Sequence, residues 1–216
     1  MPHIVPECRV PIDTRRARRH LIAIDPALAA LIQRVGPCRF QARVHADPFT
    51  TLLRAIVAQQ VSAAAARTIF GRLCALFPKD VPIPARLLRL DDDALRGAGL
   101  SRAKVLYVRD LAAHVQDGRL DLRALPAHSD EDAIAALTAV KGIGTWTAEV
   151  FLMFHLERPD VFPSGDLALM VAIQRAYKMR ARPTPAKARA LAETWRPHRS
   201  VASWYLWQSL SSPAAP

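Results

Sequence analysis

A glycine-containing turn and a carboxylate downstream of it are the features of this chain that could best do chemistry together. The segment LTAVKGIGTWTAEVFLMF runs from Leu137 to Phe154, and DVFPSGD follows it and ends at Asp166. Gly142 and Gly144 let the main chain approach another molecule closely, because glycine has no Cβ and tolerates positive φ. Backbone N–H groups at such a turn can bind the phosphates of a polymer, and a nearby carboxylate can then act on that polymer.

Apolar residues on both sides of this turn repeat with a period close to 3.6, which predicts one helix before it and one after it. They are Leu137, Val140, Ile143, Trp146, Val150, Phe151 and Phe154. The second helix would begin with unbonded N–H groups and the positive end of its dipole, as anion-binding helix termini do. The motif alone leaves open an ordinary turn between two packed helices.

The charge of the chain favours a polyanionic partner. There are 30 Lys and Arg residues against 19 Asp and Glu, which gives a net charge of +11 and a pI near 10.5. Solvated helix faces account for part of this excess, but together with a phosphate-binding turn it makes nucleic acid the first candidate. Both ends contribute, through Arg15, Arg16, Arg18, Arg19, Arg34, Arg39, Arg43, Lys178, Arg180, Arg182, Lys187 and Arg189.

Length and cysteine usage set further bounds. With 216 residues, 51% of them hydrophobic, the chain can build one large or two small cores. Cys8, Cys38 and Cys74 lack metal-ligand spacing, which argues against a zinc site or an iron–sulfur cluster and favours a reducing, cytoplasmic location. No run approaches about 20 apolar residues. The Arg-rich N-terminal segment is broken by Pro2, Pro6 and Pro11 and lacks the apolar stretch of a signal peptide, so we expect no membrane association.

Helical patterns cover most of the chain and little of it alternates as a strand does, so the sequence predicts an all-α fold. Asp47 and Pro48 are typical of the N-cap and first position of a helix. We expect this helix to extend from about Phe49 to Phe77, with a break near Gln60 to Ser62.

Five segments stand in the order and spacing of the helix-hairpin-helix DNA glycosylases: IVAQQVSAAAA, GLSRAKV, VKGIGTWTAEVFLMF, DVFPSGD and WRPHRSVASWYLW. Over roughly residues 45 to 210 the chain resembles this family, and most of all its bacterial 3-methyladenine DNA glycosylase II branch. The resemblance implies an all-α, two-lobed fold with the active-site cleft between the lobes and the hairpin gripping DNA beside the lesion. Because few residues precede Pro48, we expect the compact form without an N-terminal β domain.

The resemblance also implies a division of the chain. Residues 1–46 would form an N-terminal arm and helix that pack with the C-terminal lobe. Residues 47–165 would form the helical lobe that contains the hairpin at 137–154, and residues 166–216 the C-terminal helices that complete the second lobe. We expect the protein to act as a monomer.

Asp166 matches the catalytic aspartate of the family. Its carboxylate would face the sugar cation that develops as the N-glycosidic bond of an extruded nucleotide breaks, and would orient or deprotonate the attacking water. Judged without the family, Asp166 also suits a helix-capping role ahead of LALMVAIQ. Asp160, the nearest rival, matches a structural residue of the family.

Trp146, Val150 and Trp207 match positions of the base pocket. Indole faces attract the delocalised positive charge of alkylated purines such as 3-methyladenine and 7-methylguanine. Val150 stands where the most similar family members carry an aromatic residue. Trp146 takes the place of the Schiff-base lysine of bifunctional members, which predicts an intact abasic strand as product. The alternative for Trp146 is a core position, and we expect Trp204 and Tyr205 in the core.

The remaining site residues contact DNA by the same resemblance. Gln60 matches the residue that inserts into the vacated base stack, and Lys141 is expected to contact phosphate. The backbone N–H groups of Gly142, Gly144 and Thr147 match phosphate donors.

One ion is implied as well. The carbonyls of Thr138, Val140 and Ile143 match those that hold a monovalent cation bridging to phosphate. No cofactor is expected to be required.

The sequence therefore predicts a monofunctional DNA glycosylase of base excision repair, acting on double-stranded DNA that contains an alkylated base. A non-catalytic hairpin DNA-binding module and a bifunctional or iron–sulfur glycosylase/lyase are the alternatives. Asp166 and the two pocket tryptophans argue against the first, and Trp146 and the missing cysteine cluster argue against the second.

Overall fold

The computed structural model describes residues 12–40 and 47–211, where every regular element is helical. This confirms the predicted all-α class. Part of the predicted N-terminal arm, including Cys8 and Arg43, lies outside the described residues.

The α-helices are α1 Thr14–Ile24, α2 Pro26–Val35, α3 Pro48–Ala58, α4 Ala63–Cys74, α5 Pro84–Leu87, α6 Asp92–Gly97, α7 Arg102–Gln116, α8 Asp130–Thr138, α9 Thr145–Phe154, α10 Leu167–Ala176, α11 Pro185–Ala192 and α12 Arg199–Ser211. Short 3₁₀ turns lie at Pro78–Asp80, Leu125–Ala127 and Glu193–Trp195.

The described residues form two compact units. The terminal unit contains residues 12–40 and 157–211, and the hairpin unit contains residues 47–156. Residues 157–165 therefore group with the terminal unit, whereas the family resemblance implies that they belong to the hairpin lobe. The reason is a set of contacts with α12: the Ser200 hydroxyl donates to the Arg158 carbonyl (2.6 Å) and accepts from the Val161 N–H (3.0 Å).

In the hairpin unit, the predicted break in the long helix is confirmed. Asp47 caps α3 by accepting the Thr50 N–H at 2.7 Å, and Pro48 occupies the first turn, where its missing N–H is harmless. The helix stops at Ala58, and Ser62 caps the start of α4. Between them, Gln60 has a φ of 56°, which no α-helix accommodates. Residues 59–62, called here the α3–α4 turn, therefore form a sharp corner.

The terminal unit is organised around a buried aspartate. Asp25 is 7% exposed and caps α2 by accepting the N–H groups of Ala27 and Leu28 at 2.9 and 3.0 Å. It also accepts the Trp195 indole N–H at 3.0 Å and the Tyr177 hydroxyl. Since buried polar groups destabilise a fold unless they are hydrogen-bonded, this set of donors is what permits a carboxylate in the core.

Helix α12 completes the core of the terminal unit. It packs against α1, α2 and α10. Trp204 and Tyr205 are buried, at 8% and 0% exposure, which confirms their predicted core positions.

Neither a membrane-spanning helix nor a metal-binding cluster occurs among the described residues. No helix within them has the length and apolar content needed to cross a membrane. The same residues contain no group of three or more His, Cys, Asp and Glu side chains arranged to hold a metal ion.

Candidate DNA-binding and active site

The predicted hairpin consists of α8, a turn at residues 139–144, and α9. Gly142 has a φ of 85°, so the turn uses the left-handed conformation that glycine allows. Gly144 is the N-cap of α9 and provides no capping side chain, whereas Ser129 caps α8 by accepting the Asp132 N–H. The start of α9 therefore combines the positive end of a helix dipole with a cap that is only main chain, as the phosphate-binding prediction requires.

The hairpin turn packs against α7. A Cβ placed on Gly142 would lie 2.3 Å from Cγ of Tyr107, so the main chain rests directly on that aromatic ring. Next to it, the Lys141 N–H donates to the Asp110 carboxylate at 2.8 Å. These contacts hold the turn in one conformation before any ligand binds.

A groove of about 530 Å³ brings together several of the predicted DNA contacts. It is lined by the hairpin turn, by Gln59 and Gln60 of the α3–α4 turn, and by the first turns of α7. The predicted site residues on its wall are Gln60, Thr138, Val140, Lys141, Gly142, Ile143 and Gly144. Thr147 and Val150 lie further along α9, and Thr147 is buried.

Gln60 is presented outward in a strained conformation. Its side chain is exposed, and among the described residues it makes no hydrogen bond. A non-glycine residue at a φ of 56° costs about 1 to 3 kcal/mol and persists only where its surroundings impose it. The neighbouring Val61 is also exposed, at 37%. Strain of this kind is common at functional turns.

The predicted pocket residues differ in burial. Trp146, in the first turn of α9, is 46% exposed, so it is not a core aromatic. Val150 lies one helical turn further on, on the same side of α9, and is partly buried. Trp207 lies on α12 in the terminal unit and is also partly buried.

Asp166 is the N-cap of α10 in the terminal unit. Its Oδ1 accepts the Leu169 N–H at 2.7 Å, and its side chain is buried, at 8% exposure. Asp166 therefore caps α10, and the capping hydrogen bond uses its Oδ1 atom. Gly165 and Leu167 on either side are exposed, Leu167 at 63%. Asp166 therefore lies just beneath the surface in a fixed orientation.

The segment before Asp166 is anchored to the rest of the terminal unit. Asp160 accepts hydrogen bonds from Arg196 (2.6 Å) and from Nε of Arg199 (2.9 Å), which confirms its structural role. Phe162 meets the ring of Trp195 edge-on, with ring centroids 5.7 Å apart. These contacts and the bond to the Leu169 N–H constrain the position of the Asp166 carboxylate.

Three residues make contacts in this region that the sequence pattern does not predict. Tyr107 supports Gly142, Asp110 holds the Lys141 N–H, and Gln59 donates from its amide to the Gly142 carbonyl at 2.8 Å. The only signal for Gln59 is a polar side chain in an otherwise apolar segment. Nothing in the sequence pattern marks Tyr107 or Asp110 as partners of the hairpin.

The described residues define an all-helical protein with a helix-hairpin-helix motif formed by α8, its turn and α9. The sequence model of the HhH-GPD superfamily of base excision DNA repair proteins matches residues 53–197. The match spans more than half of the chain and includes both the hairpin and Asp166. The chain belongs to this superfamily.

Individual proteins are similar over most of the chain. DNA-3-methyladenine glycosylase 1 of Schizosaccharomyces pombe is 30% identical over 197 residues, 90% of this chain and 86% of that protein. A solved structure of the S. pombe 3-methyladenine DNA glycosylase Mag1 in complex with abasic DNA has a TM-score of 0.82 at 29% identity, covering 93% of this chain and 99% of that one. A Bacillus halodurans DNA-3-methyladenine glycosidase structure has a TM-score of 0.82 at 36% identity, covering 91% and 89%.

Proposed function

We propose that this protein is a monofunctional DNA glycosylase that removes alkylated bases from double-stranded DNA and leaves an abasic site. The observation that carries the proposal is Asp166, a carboxylate held beneath the surface by the Leu169 N–H on an anchored segment. It stands in a chain whose relatives are named for 3-methyladenine glycosylase activity. We expect the protein to act as a monomer in the cytoplasm, at the nucleoid.

A base inside a duplex is out of reach, so the nucleotide must first be extruded. In the proposed complex, the N–H groups of Gly142, Gly144 and Thr147 bind the DNA backbone, together with the Lys141 ammonium. Gln60 fills the gap left in the base stack. Its exposed position at the tip of the α3–α4 turn suits this insertion.

Bond cleavage then depends on charge. As the N-glycosidic bond breaks, its electron pair leaves with the base and positive charge develops on the sugar. The Asp166 carboxylate stabilises that charge, orients the water that adds to the anomeric carbon, and accepts the proton that this water releases. An attraction of about 4 kcal/mol, expected at about 4 Å and an effective dielectric constant near 20, corresponds to roughly a thousandfold in rate.

The proposed substrates are bases that already carry positive charge. Alkylation at N3 of adenine or N7 of guanine weakens the glycosidic bond and gives the ring an affinity for indole faces. We assign this contact to Trp146 and Trp207, with Val150 shaping the pocket beside Trp146.

Strand cleavage by a Schiff base is not proposed. The side chain of Trp146 has no amine for attack on the sugar. In the hairpin unit, the Lys104 ammonium is engaged by the backbone carbonyls of Val57 and Gln59, to which it donates at 2.7 and 2.6 Å.

The hairpin turn also suits a monovalent cation. Carbonyl oxygens are the ligands that such hard cations prefer, and those of Thr138, Val140 and Ile143 belong to one turn along the groove. The Val140 carbonyl also accepts the Ile143 N–H at 3.1 Å, which leaves its second lone pair for an ion. A cation held there would add positive charge beside the bound phosphate.

The proposal is tested with a duplex that carries a single 7-methylguanine or 3-methyladenine. Release of the base, with strand breaks only after alkali, supports a monofunctional glycosylase. Breaks without alkali would indicate a lyase, and binding without base release would indicate a non-catalytic DNA-binding module. Both of the last two results contradict the proposal.

A further inference from the structure

Lys104 lies between two elements of the proposed function. These are the α3–α4 turn, which carries the inserting residue Gln60, and the hairpin turn, which binds phosphate. Lys104 lies in the first turn of α7, partly buried on the wall of the groove. Its ammonium donates to the carbonyls of Val57 (2.7 Å) and Gln59 (2.6 Å). These carbonyls belong to the C-terminal end of α3, where the helix leaves its last acceptors unpaired and its dipole is negative. The lysine therefore neutralises the corner from which Gln60 projects.

The same corner is tied to the hairpin. The Gln59 side-chain amide donates to the Gly142 carbonyl at 2.8 Å, across 83 positions of sequence. Gln59 thus bonds Lys104 through its carbonyl and the hairpin turn through its side chain. Gly142 in turn rests on Tyr107, which is also on α7. The α3–α4 turn, α7 and the hairpin turn form one connected set of contacts.

We infer that Lys104 and Gln59 are positioning residues that couple the phosphate-binding hairpin to the inserting residue Gln60. The inference rests on the proposed function, because it assigns insertion to Gln60 and phosphate binding to the hairpin. Without the Lys104 and Gln59 contacts, the left-handed conformation of Gln60 has no strong external support and relaxes. Hairpin binding would then no longer place Gln60 at the extruded nucleotide.

Arg109 provides a matched control on the same helix. It also donates to backbone carbonyls at the end of a short helical segment, those of Leu88 and Leu90, and it pairs with Asp92. It does not line the groove. Arg109→Met therefore removes a comparable cation and comparable carbonyl contacts while leaving the α3–α4 turn intact.

The test uses the full chain and a duplex with a tetrahydrofuran abasic analogue beside 2-aminopurine, whose fluorescence rises when it is unstacked. At saturating protein, we expect Lys104→Met and Gln59→Leu to lower the wild-type fluorescence rise about fivefold to tenfold, and Gln60→Ala to lower it by a similar factor. Lys104→Arg should retain most of the signal, because a guanidinium can donate to the same carbonyls. Arg109→Met should retain the signal even if its unfolding temperature falls.

The inference is overturned if Lys104→Met and Gln59→Leu, shown to be folded by circular dichroism, give the wild-type signal at saturation. It is also overturned if Arg109→Met loses as much signal as Lys104→Met, since the effect would then be general destabilisation. This measurement needs no base excision. An enzyme that unstacks the probe without releasing any base would refute the proposed function and leave the coupling supported.

Discussion

Gly142 and Tyr107 are in direct contact: the main chain of the hairpin turn lies so close to the phenol ring that a Cβ would stand 2.3 Å from Cγ. Real Cβ atoms do not approach carbon at that distance, so the turn and α7 fit together only with glycine at this position. The left-handed φ of Gly142, 85°, independently favours glycine at this position. Gly144, by contrast, has a φ of −87° and open space around its Cα.

The two glycines should therefore respond differently to alanine. Gly142→Ala should lower the free energy of unfolding by about 1 to 3 kcal/mol through overpacking and backbone strain, and should weaken binding to abasic DNA. Gly144→Ala should cost less than Gly142→Ala, because its Cβ has open space and only the N-cap preference for glycine over alanine is lost. Denaturant unfolding and fluorescence anisotropy would measure both effects. Equal stability of the two variants would contradict this account of the turn.

Asp166→Asn separates the charge of Asp166 from its capping role. Asparagine caps helices about as well as aspartate, so the bond to the Leu169 N–H and the fold should survive. Loss of the negative charge should reduce single-turnover base release roughly a thousandfold or more, while binding to abasic DNA persists.

Asp160→Asn is the control for Asp166. It weakens the pairs with Arg196 and Arg199 and should lower the unfolding temperature without a comparable loss of rate per folded molecule. Turnover of Asp166→Asn close to that of the wild type would remove Asp166 from catalysis.

Two tryptophans should show opposite effects when replaced by alanine. Trp146 is 46% exposed, so Trp146→Ala should change stability little but reduce excision of a cationic alkylpurine about tenfold, the size of a partly desolvated cation–π contact. Trp195 is fully buried and bonds Asp25, so Trp195→Ala should lower stability by about 3 to 5 kcal/mol. Measuring melting temperature and excision rate on both variants checks the contrast, which fails if Trp146→Ala excises at the wild-type rate.

Alkaline stability should depend on Tyr177. Burial, followed by the hydrogen bond to Asp25, raises the pKa of Tyr177 well above its ordinary value of 10.0. Above about pH 10 the unfolded chain loses a proton that the folded chain keeps, so the free energy of unfolding falls by about 1.4 kcal/mol per pH unit for this group. Burial also raises the pKa of Tyr205, to about 12, and adds a fall of the same sign.

Tyr177→Phe isolates that contribution. Below about pH 9 the variant is less stable than the wild type because it lacks the bond to Asp25. Between about pH 10 and about pH 11 its stability should fall less steeply, by about 1.4 kcal/mol per unit. Urea unfolding at several pH values measures both slopes, and parallel slopes would contradict the prediction.

Much of the hairpin unit is predictable from local pattern. The helix that begins after the break at residues 60–62 follows from a capping residue within a short window, since the Ser62 side chain accepts the Ala65 N–H at the start of α4. The two hairpin helices follow from a period of 3.6 interrupted by glycines. The boundary between the units at residue 156 does not follow from local pattern, because the contacts of Ser200 with residues about 40 positions earlier decide it.

By itself, the sequence determined the helical class, the hairpin, the basic charge and the residue types of the proposed site, because these depend on neighbouring residues and on composition. The tertiary structure alone decided that Tyr107 supports Gly142, that Lys104 and Gln59 join the α3–α4 turn to the helices and hairpin around it, and that Asp160 is bound by two arginines. Such contacts join positions tens of residues apart. Periodicity carries no record of them, because they arise only when packed helices bring distant side chains within bonding distance.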